Sequence, residues 1–260
     1  MSNTTILTET VGNVAVIKLN RPEKFHSVNR EMALALQAAL DKAEADNNIR
    51  AILFTAEGKA FCAGQDLSEA ADVNGLGIER IVREHYNPII LRLRNIEKPI
   101  VCAVNGVAAG AGANIALACD IVIAGKSAAF IQAFSKIALI PDSGGTFLLP
   151  KLVGLQRATA LMMLGDKISP EEAVQMGMIY KAVEDEKLME TAMEIAKTLS
   201  ELPTKALGLT KRLLNEGTTN SLEVQLDREA QEQVVAAASN DCKEGITAFM
   251  QKRKAVFKGN

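Results

Sequence analysis

Apolar and polar residues alternate over Val14–Leu19 (VAVIKL), which predicts a strand that Asn20-Arg21-Pro22 brings to an end. Asn29 then stands ahead of Met32, Leu36, Ala39, Leu40 and Ala43. That spacing puts the five apolar residues on one face of a helix running to about residue 46, with Asn29 as its N-cap. Further strands are predicted over 50–55, Ile100–Val104 and 120–124, with a helix over 76–95 between the second and third strands. Strand and helix alternate to about residue 125, which predicts an α/β fold with parallel or mixed sheets.

From Ser169 onward the pattern turns helical. Ser169-Pro170-Glu171-Glu172 joins an N-cap, a proline at the first helical position and a capping-box acid. Helices are expected over 185–201, 204–215, 221–238 and 241–254. Leu222, Val224, Leu226, Val234 and Val235 then need cover, from the sheet core or from a neighbouring subunit. This divides the chain into a core over 1–195 and a C-terminal helical region over 196–260.

Composition narrows the function classes. Twenty-nine basic against 31 acidic residues leave a net charge of −2, with no Lys/Arg block to attract nucleic acid. The opening residues lack the basic and apolar regions of a signal peptide, and no apolar run is long enough to span a membrane, so a cytoplasmic protein is expected. Cys62, Cys102, Cys119 and Cys242 are widely spaced and read as free thiols, and His26 and His85 belong to no metal-ligand cluster.

Three glycine-bearing loops are candidates for chemistry. Lys59 to Leu67 (KAFCAGQDL) follows the second strand, where small residues let a ligand approach backbone N–H groups; a tight turn with Asp66 capping the next helix fits equally. Asn105 to Asn114 (NGVAAGAGAN) opens an apolar helix, whose N-terminus suits a developing oxyanion; close packing of a small-residue helix in the core is the alternative. Ile140 to Thr146 (IPDSGGT) sets Asp142 between apolar residues and a glycine pair. Such a carboxyl has a raised pKa and suits proton transfer near neutrality, whereas a plain helix cap is the alternative.

Together, AFCAGQDL, NGVAAGAGANIALACDIVIA and IPDSGGTFLLPKLVG resemble the signatures of the crotonase (enoyl-CoA hydratase/isomerase) superfamily. LNRPEKFHSVN near the start and EGITAFMQKRKAVFKG near the end extend the resemblance over nearly the whole chain. It implies a crotonase-like spiral of ββα units with a C-terminal helical trimerisation region, trimers often pairing into hexamers. The implied substrate is an acyl-CoA thioester, coenzyme A arriving as part of it, with no further cofactor or metal. The resemblance places the oxyanion hole on the N–H groups of Ala63 and Ala111, with Gly110 and Gly112 leaving room for the ligand. Ala63, Gly64, Gln65, Asp66 and Leu67 would run beside the adenine, and Phe257 and Lys258 match positions that contact coenzyme A, sometimes across subunits.

The resemblance also bears on the reaction. Hydratases of the superfamily activate water with two glutamates, and the matching positions here are Asn114 and Phe134. Asp142 is left as the sole well-placed carboxylate, and a single base facing an enolate suits a 1,3-proton shift. The loop is most similar to the branch acting on 1,2-epoxyphenylacetyl-CoA, with 3-enoyl-CoA isomerisation as a further activity. Hydration of short 2-enoyl-CoA and a catalytically inactive acyl-CoA-binding protein are the alternatives. Asn114 either positions substrate or water, or is satisfied inside its helix, and the stretch 73–85 is expected to wall the acyl pocket. Two other motifs lack their context: DSGG, with Ser143 as a protease nucleophile, has no aligned His–Asp pair, and GAGAN has no third glycine of a dinucleotide loop.

Overall fold

The computed structural model describes residues 4–72 and 74–260. The chain opens with a hairpin, β1 (Ile6–Val11) and β2 (Val14–Leu19), turning through Gly12 at φ +60°. The first expected strand is β2; β1 is an addition, and its Gly-Asn turn between two strand-like runs is the signal for it. Three strand pairs follow: β3 (Ala51–Ala56) with β4 (Ala60–Cys62), β5 (Ile100–Val104) with β6 (Val107–Ala109), and β7 (Ile121–Gly125) with β8 (Ala129–Ile131). With β9 (Lys167–Ile168) and β10 (Lys181–Val183) they form a six-stranded sheet, β1-β2-β3-β5-β7-β10, and a four-stranded sheet, β4-β6-β8-β9. Each pair sends its first strand to the large sheet and its second to the small one, so the chain spirals. Strands of two or three residues are too short to show a period of their own, and the small sheet is therefore absent from the sequence pattern.

The helices are α1 (Arg30–Ala45), α2 (Leu67–Ala70), α3 (Gly77–Ile81), α4 (Asn87–Asn95), α5 (Ala111–Leu117), α6 (Gly145–Val153) and α7 (Leu155–Leu164). α8 (Pro170–Gln175), α9 (Leu188–Glu201), α10 (Thr204–Glu216), α11 (Leu222–Ala237) and α12 (Asn240–Met250) complete them. Asn29 caps α1 by accepting from the Met32 N–H at 3.0 Å, and the capping box of α8 is formed. Alternation along the strands sorts the core into two layers. Ile17, Ile52, Phe54, Ile100 and Cys102 face Met32, Leu36 and Leu40 of α1 and Leu93 of α4. Val14, Val16, Leu53, Val101 and Ala103 face Leu188, Ala192 and Ala196 of α9.

The helix expected over 76–95 is interrupted. Val82–Tyr86 is a π turn, in which the Asn87 N–H reaches back to the Val82 carbonyl. Pro88 supplies the cause, because it has no N–H to offer the Glu84 carbonyl. Gln37 takes that place: its Nε2 donates to the carbonyls of Glu84 at 2.8 Å and His85 at 3.2 Å. The turn directs both His85 and Tyr86 into the interior, where each is fully buried.

The expected domain boundary at 195 falls inside α9, which packs on the sheet as one unit, so the core runs through that helix. Beyond it α10 is tied to the core by buried Lys211, whose Nζ lies 2.8 Å from Asp120, and by an Arg212–Glu97 ion pair. On α11, Leu222 and Val234 remain 69% and 70% exposed, so the single chain leaves its apolar face uncovered. The C-terminal tail folds back on its own chain: Asp241 accepts from the N–H groups of Lys258 and Gly259, and Arg50 donates to the Phe257 carbonyl.

Candidate active site

The three glycine-bearing loops pack together, Gly64 against Ala109 and Ala111 and Gly145 against Asn114. Ala111 opens α5, so its N–H belongs to the first helical turn and has no acceptor within the helix. Gly64 lies against this turn, at φ +92°; a Cβ there would stand 3.0 Å from the Ala109 carbonyl and 3.6 Å from the Ala111 nitrogen. Only glycine lets the two backbones approach this closely.

The assignment of the partner N–H to Ala63 needs correction. The Ala63 N–H donates to the Phe25 carbonyl at 2.9 Å and is occupied. Two residues on, the chain bridges to Val28, whose N–H donates to Gly64 and whose carbonyl accepts from Asp66. That leaves the Gln65 N–H with no acceptor among the described residues, next to Gly64 and hence beside Ala111. A pair of free N–H groups from two different loops is the arrangement that stabilises a developing oxyanion.

Asp142 belongs to the third loop. It does not cap α6, whose N-cap is Gly144 with no side-chain cap bond. Burial pushes its carboxyl above the usual carboxylate range, and a 2.8 Å bond from the Ser143 hydroxyl offsets part of that rise. Ser143 is buried at φ +52°, and its hydroxyl is turned to Asp142 as a donor.

Asn114, one turn into α5, braces this loop. Its Nδ2 donates to the Asp142 carbonyl at 2.8 Å, and its Oδ1 accepts from Gln132 Nε2 at 2.8 Å. Both ends of the carboxamide are therefore engaged, and Asn114 is almost fully buried. A Cβ on Gly145 would overlap that carboxamide, so the glycine admits the contact. Phe134 is buried as well, with its ring beside Gly110, which sits at φ +54°.

The other expected residues divide. The Asp66 carboxylate caps α2 through Ser68 and pairs with Arg21 at 3.0 Å, which holds it below the usual range despite burial; its side chain is thus structural. Leu67 and Ala63 face outward. Gly112 serves packing and not ligand room, since a Cβ there would overlap Cys62. Phe257 and Lys258 lie in the tail held by Arg50 and Asp241, with no hydrogen bond to the loops of Gln65, Ala111 or Asp142 among the described residues. Of the stretch 73–85, Val73 lies outside the described residues, while Ile81 and His85 are buried.

A further group escaped the sequence reading. Tyr86 Oη donates to Gln65 Oε1 at 2.8 Å, and Gln65 Nε2 donates to Glu69 Oε2 at 2.9 Å. Burial pushes the Tyr86 phenol well above its usual range, and the carboxylate of Asp142 adds to the rise, so the hydroxyl keeps its proton. Pro88, the origin of the π turn, is the one hint of this placement in the sequence.

Comparison with known proteins agrees with this architecture. Residues 9–260 match the family described as enoyl-CoA hydratase/isomerase. The chain is 47% identical to the 1,2-epoxyphenylacetyl-CoA isomerase of Escherichia coli, over 98% of each chain. It is 43% identical to a probable enoyl-CoA hydratase of Rhodobacter capsulatus, over the full length of both. A solved enoyl-CoA hydratase/isomerase structure from Mycobacterium abscessus superposes with a TM-score of 0.93 at 38% identity, over 98% of this chain and 100% of that one. The spiral of strand pairs, the facing N–H groups and these matches make the chain a member of the enoyl-CoA hydratase/isomerase family.

Proposed function

We propose that the chain isomerises acyl-CoA thioesters by a single-base proton shift, acting on 1,2-epoxyphenylacetyl-CoA and, as a further activity, on 3-enoyl-CoA. The observation that carries this reading is the place of Asp142. Asn114 holds its loop against α5, the helix that Ala111 opens, while the two positions that hold acids in hydratases carry a carboxamide bonded at both ends and a buried phenyl ring. The thioester oxygen sits between the N–H groups of Gln65 and Ala111. Asp142 takes a proton from the carbon next to the thioester carbonyl, and the charge that moves onto the oxygen meets both donors. In a 3-enoyl-CoA the resulting carboxylic acid returns the proton two carbons further on, giving the 2-enoyl isomer with no atom gained or lost. The side-chain carbon of the ring epoxide is likewise next to the thioester, so the same first step applies.

A turnover screen tests the proposal. 1,2-Epoxyphenylacetyl-CoA and 3-enoyl-CoA are expected to turn over, and crotonyl-CoA hydration to be slower by at least about 10²-fold, the scale of a missing acid–base group. Hydration as fast as isomerisation rejects it in favour of a hydratase; tight acyl-CoA binding with no turnover would favour a binding protein.

The pH profile follows from the burial of Asp142. The base acts as carboxylate, so the rate falls as pH drops through its pKa, and a raised pKa moves this acid limb above that of an ordinary aspartate. Initial rates across pH check it; a limb at or below the usual carboxylate range would contradict it.

The uncovered face of α11 is expected to be buried in a homotrimer, alone or paired into a hexamer, with Lys258 reaching coenzyme A on a neighbouring subunit. Light scattering at micromolar concentration should give three or six chain masses, and a single chain mass excludes the arrangement.

A further inference from the structure

The Gln65 side chain is held at both ends, and this has a use if Gln65 supplies an oxyanion donor, on which reading the following rests. Tyr86 reaches it from the π turn and Glu69 from α2, while Glu69 Oε1 accepts from the Arg30 N–H at 2.9 Å. The bridge to Val28 holds the Gly64–Gln65 peptide, which carries the Gln65 N–H, by one hydrogen bond to the Gly64 carbonyl, leaving tilt of that peptide about the bond as the freedom by which the N–H could lose aim. A buried phenol bound to one side-chain atom, and a carboxylate bound to the other, remove that freedom. The cost is visible in the fold: a regular helix through Val82–Tyr86 is given up, and Gln37 is committed to the carbonyls that the π turn exposes. His85, the other residue turned inward, keeps its Nδ1 without a hydrogen bond among the described residues, 3.9 Å from Glu69 Oε2, whereas Tyr86 completes one to Gln65.

We infer that Tyr86 is a positioning residue of the oxyanion hole, aiming the Gln65 N–H at the thioester oxygen through the Gln65 carboxamide. It touches neither substrate nor transferred proton. Its contribution appears as charge develops on the oxygen, so kcat should respond more than KM.

The test is Tyr86→Phe in the full-length protein, which removes one oxygen and keeps the ring. With 3-enoyl-CoA, kcat is expected to fall about tenfold, less than loss of an oxyanion donor costs, with KM within about twofold and the acid limb of the pH profile in place. A binding measurement separates aim from general loosening. A 2,4-dienoyl-CoA absorbs at longer wavelength when its carbonyl is polarised, and the red shift on binding should shrink in Tyr86→Phe at saturating protein. Gln65→Met cuts this tether together with the one to Glu69 and should reduce the shift at least as much, and the double variant should do no more than Gln65→Met alone. An undiminished red shift in folded Tyr86→Phe or Gln65→Met overturns the inference. A wild-type protein that gives no red shift overturns the oxyanion-hole reading itself, and this inference with it.

Discussion

Replacing Asp142 with asparagine is expected to lower isomerase turnover by roughly 10²–10⁴-fold, toward the upper end because no second carboxylate stands in reserve. The substitution is nearly isosteric. What the fold takes from this residue is mainly its backbone carbonyl, which accepts from Asn114 Nδ2 and from the Gly145 N–H, and asparagine supplies the same carbonyl. The side chain caps no helix, and its bond with the Ser143 hydroxyl has a counterpart in the asparagine amide oxygen. Thermal unfolding should therefore stay within a few degrees of wild type. Acyl-CoA affinity should persist, since the N–H groups of Gln65 and Ala111 are untouched. A folded Asp142→Asn protein with near-normal turnover would mean that another group carries the proton.

Asn114→Asp should have the second largest effect, on stability and rate together. The carboxylate still accepts from Gln132 Nε2, but it offers no proton to the Asp142 carbonyl and sets two oxygens face to face at a site now spanned by a 2.8 Å bond. Losing a buried bond in this way costs about 1–3 kcal/mol, and more when the new group is charged. For a chain of this size that lowers the melting temperature by about 5 °C or more. The loop carrying Asp142 loses its brace, and an added negative charge raises the Asp142 pKa further. Turnover at neutral pH should fall by about 10–100-fold, with the acid limb moved upward. Hydratase activity should not appear, since Phe134 still fills the second acid position. An Asn114→Asp protein with the melting temperature and pH profile of wild type would show that Asn114 does not brace the loop.

Where the sequence was readable, local rules sufficed. The bounds of β2, the Asn29 cap, the Ser169 capping box and the presence of β3 and β5 each depend on residues within one turn or strand. The raised carboxyl of Asp142 was legible for a similar reason, being an acid set between an apolar run and a glycine pair. Ala63 shows where local reading stops. From Ala63 to Asp66 successive N–H groups point different ways, and which is free depends on Phe25 and Val28, some 38 residues earlier in the chain. Asn114 looked equally suited to holding water or to being satisfied in a helix. Its partners Gln132 and Asp142 settle that it is satisfied, but across elements and not within α5. Tyr86 lay hidden because a helical period through Pro88 conceals the extra residue of the π turn.

The central claim, that one carboxylate moves the proton within an enolate pocket, is tested most directly by following the proton. A 3-enoyl-CoA deuterated at the carbon next to the thioester, turned over in ordinary water, should yield 2-enoyl-CoA with part of the deuterium two carbons further on, because the half-buried acid hands it back before exchanging with solvent. Asp142→Asn should form little product. A 3-hydroxyacyl-CoA as the main product, or label transfer at the wild-type rate without Asp142, would contradict the account.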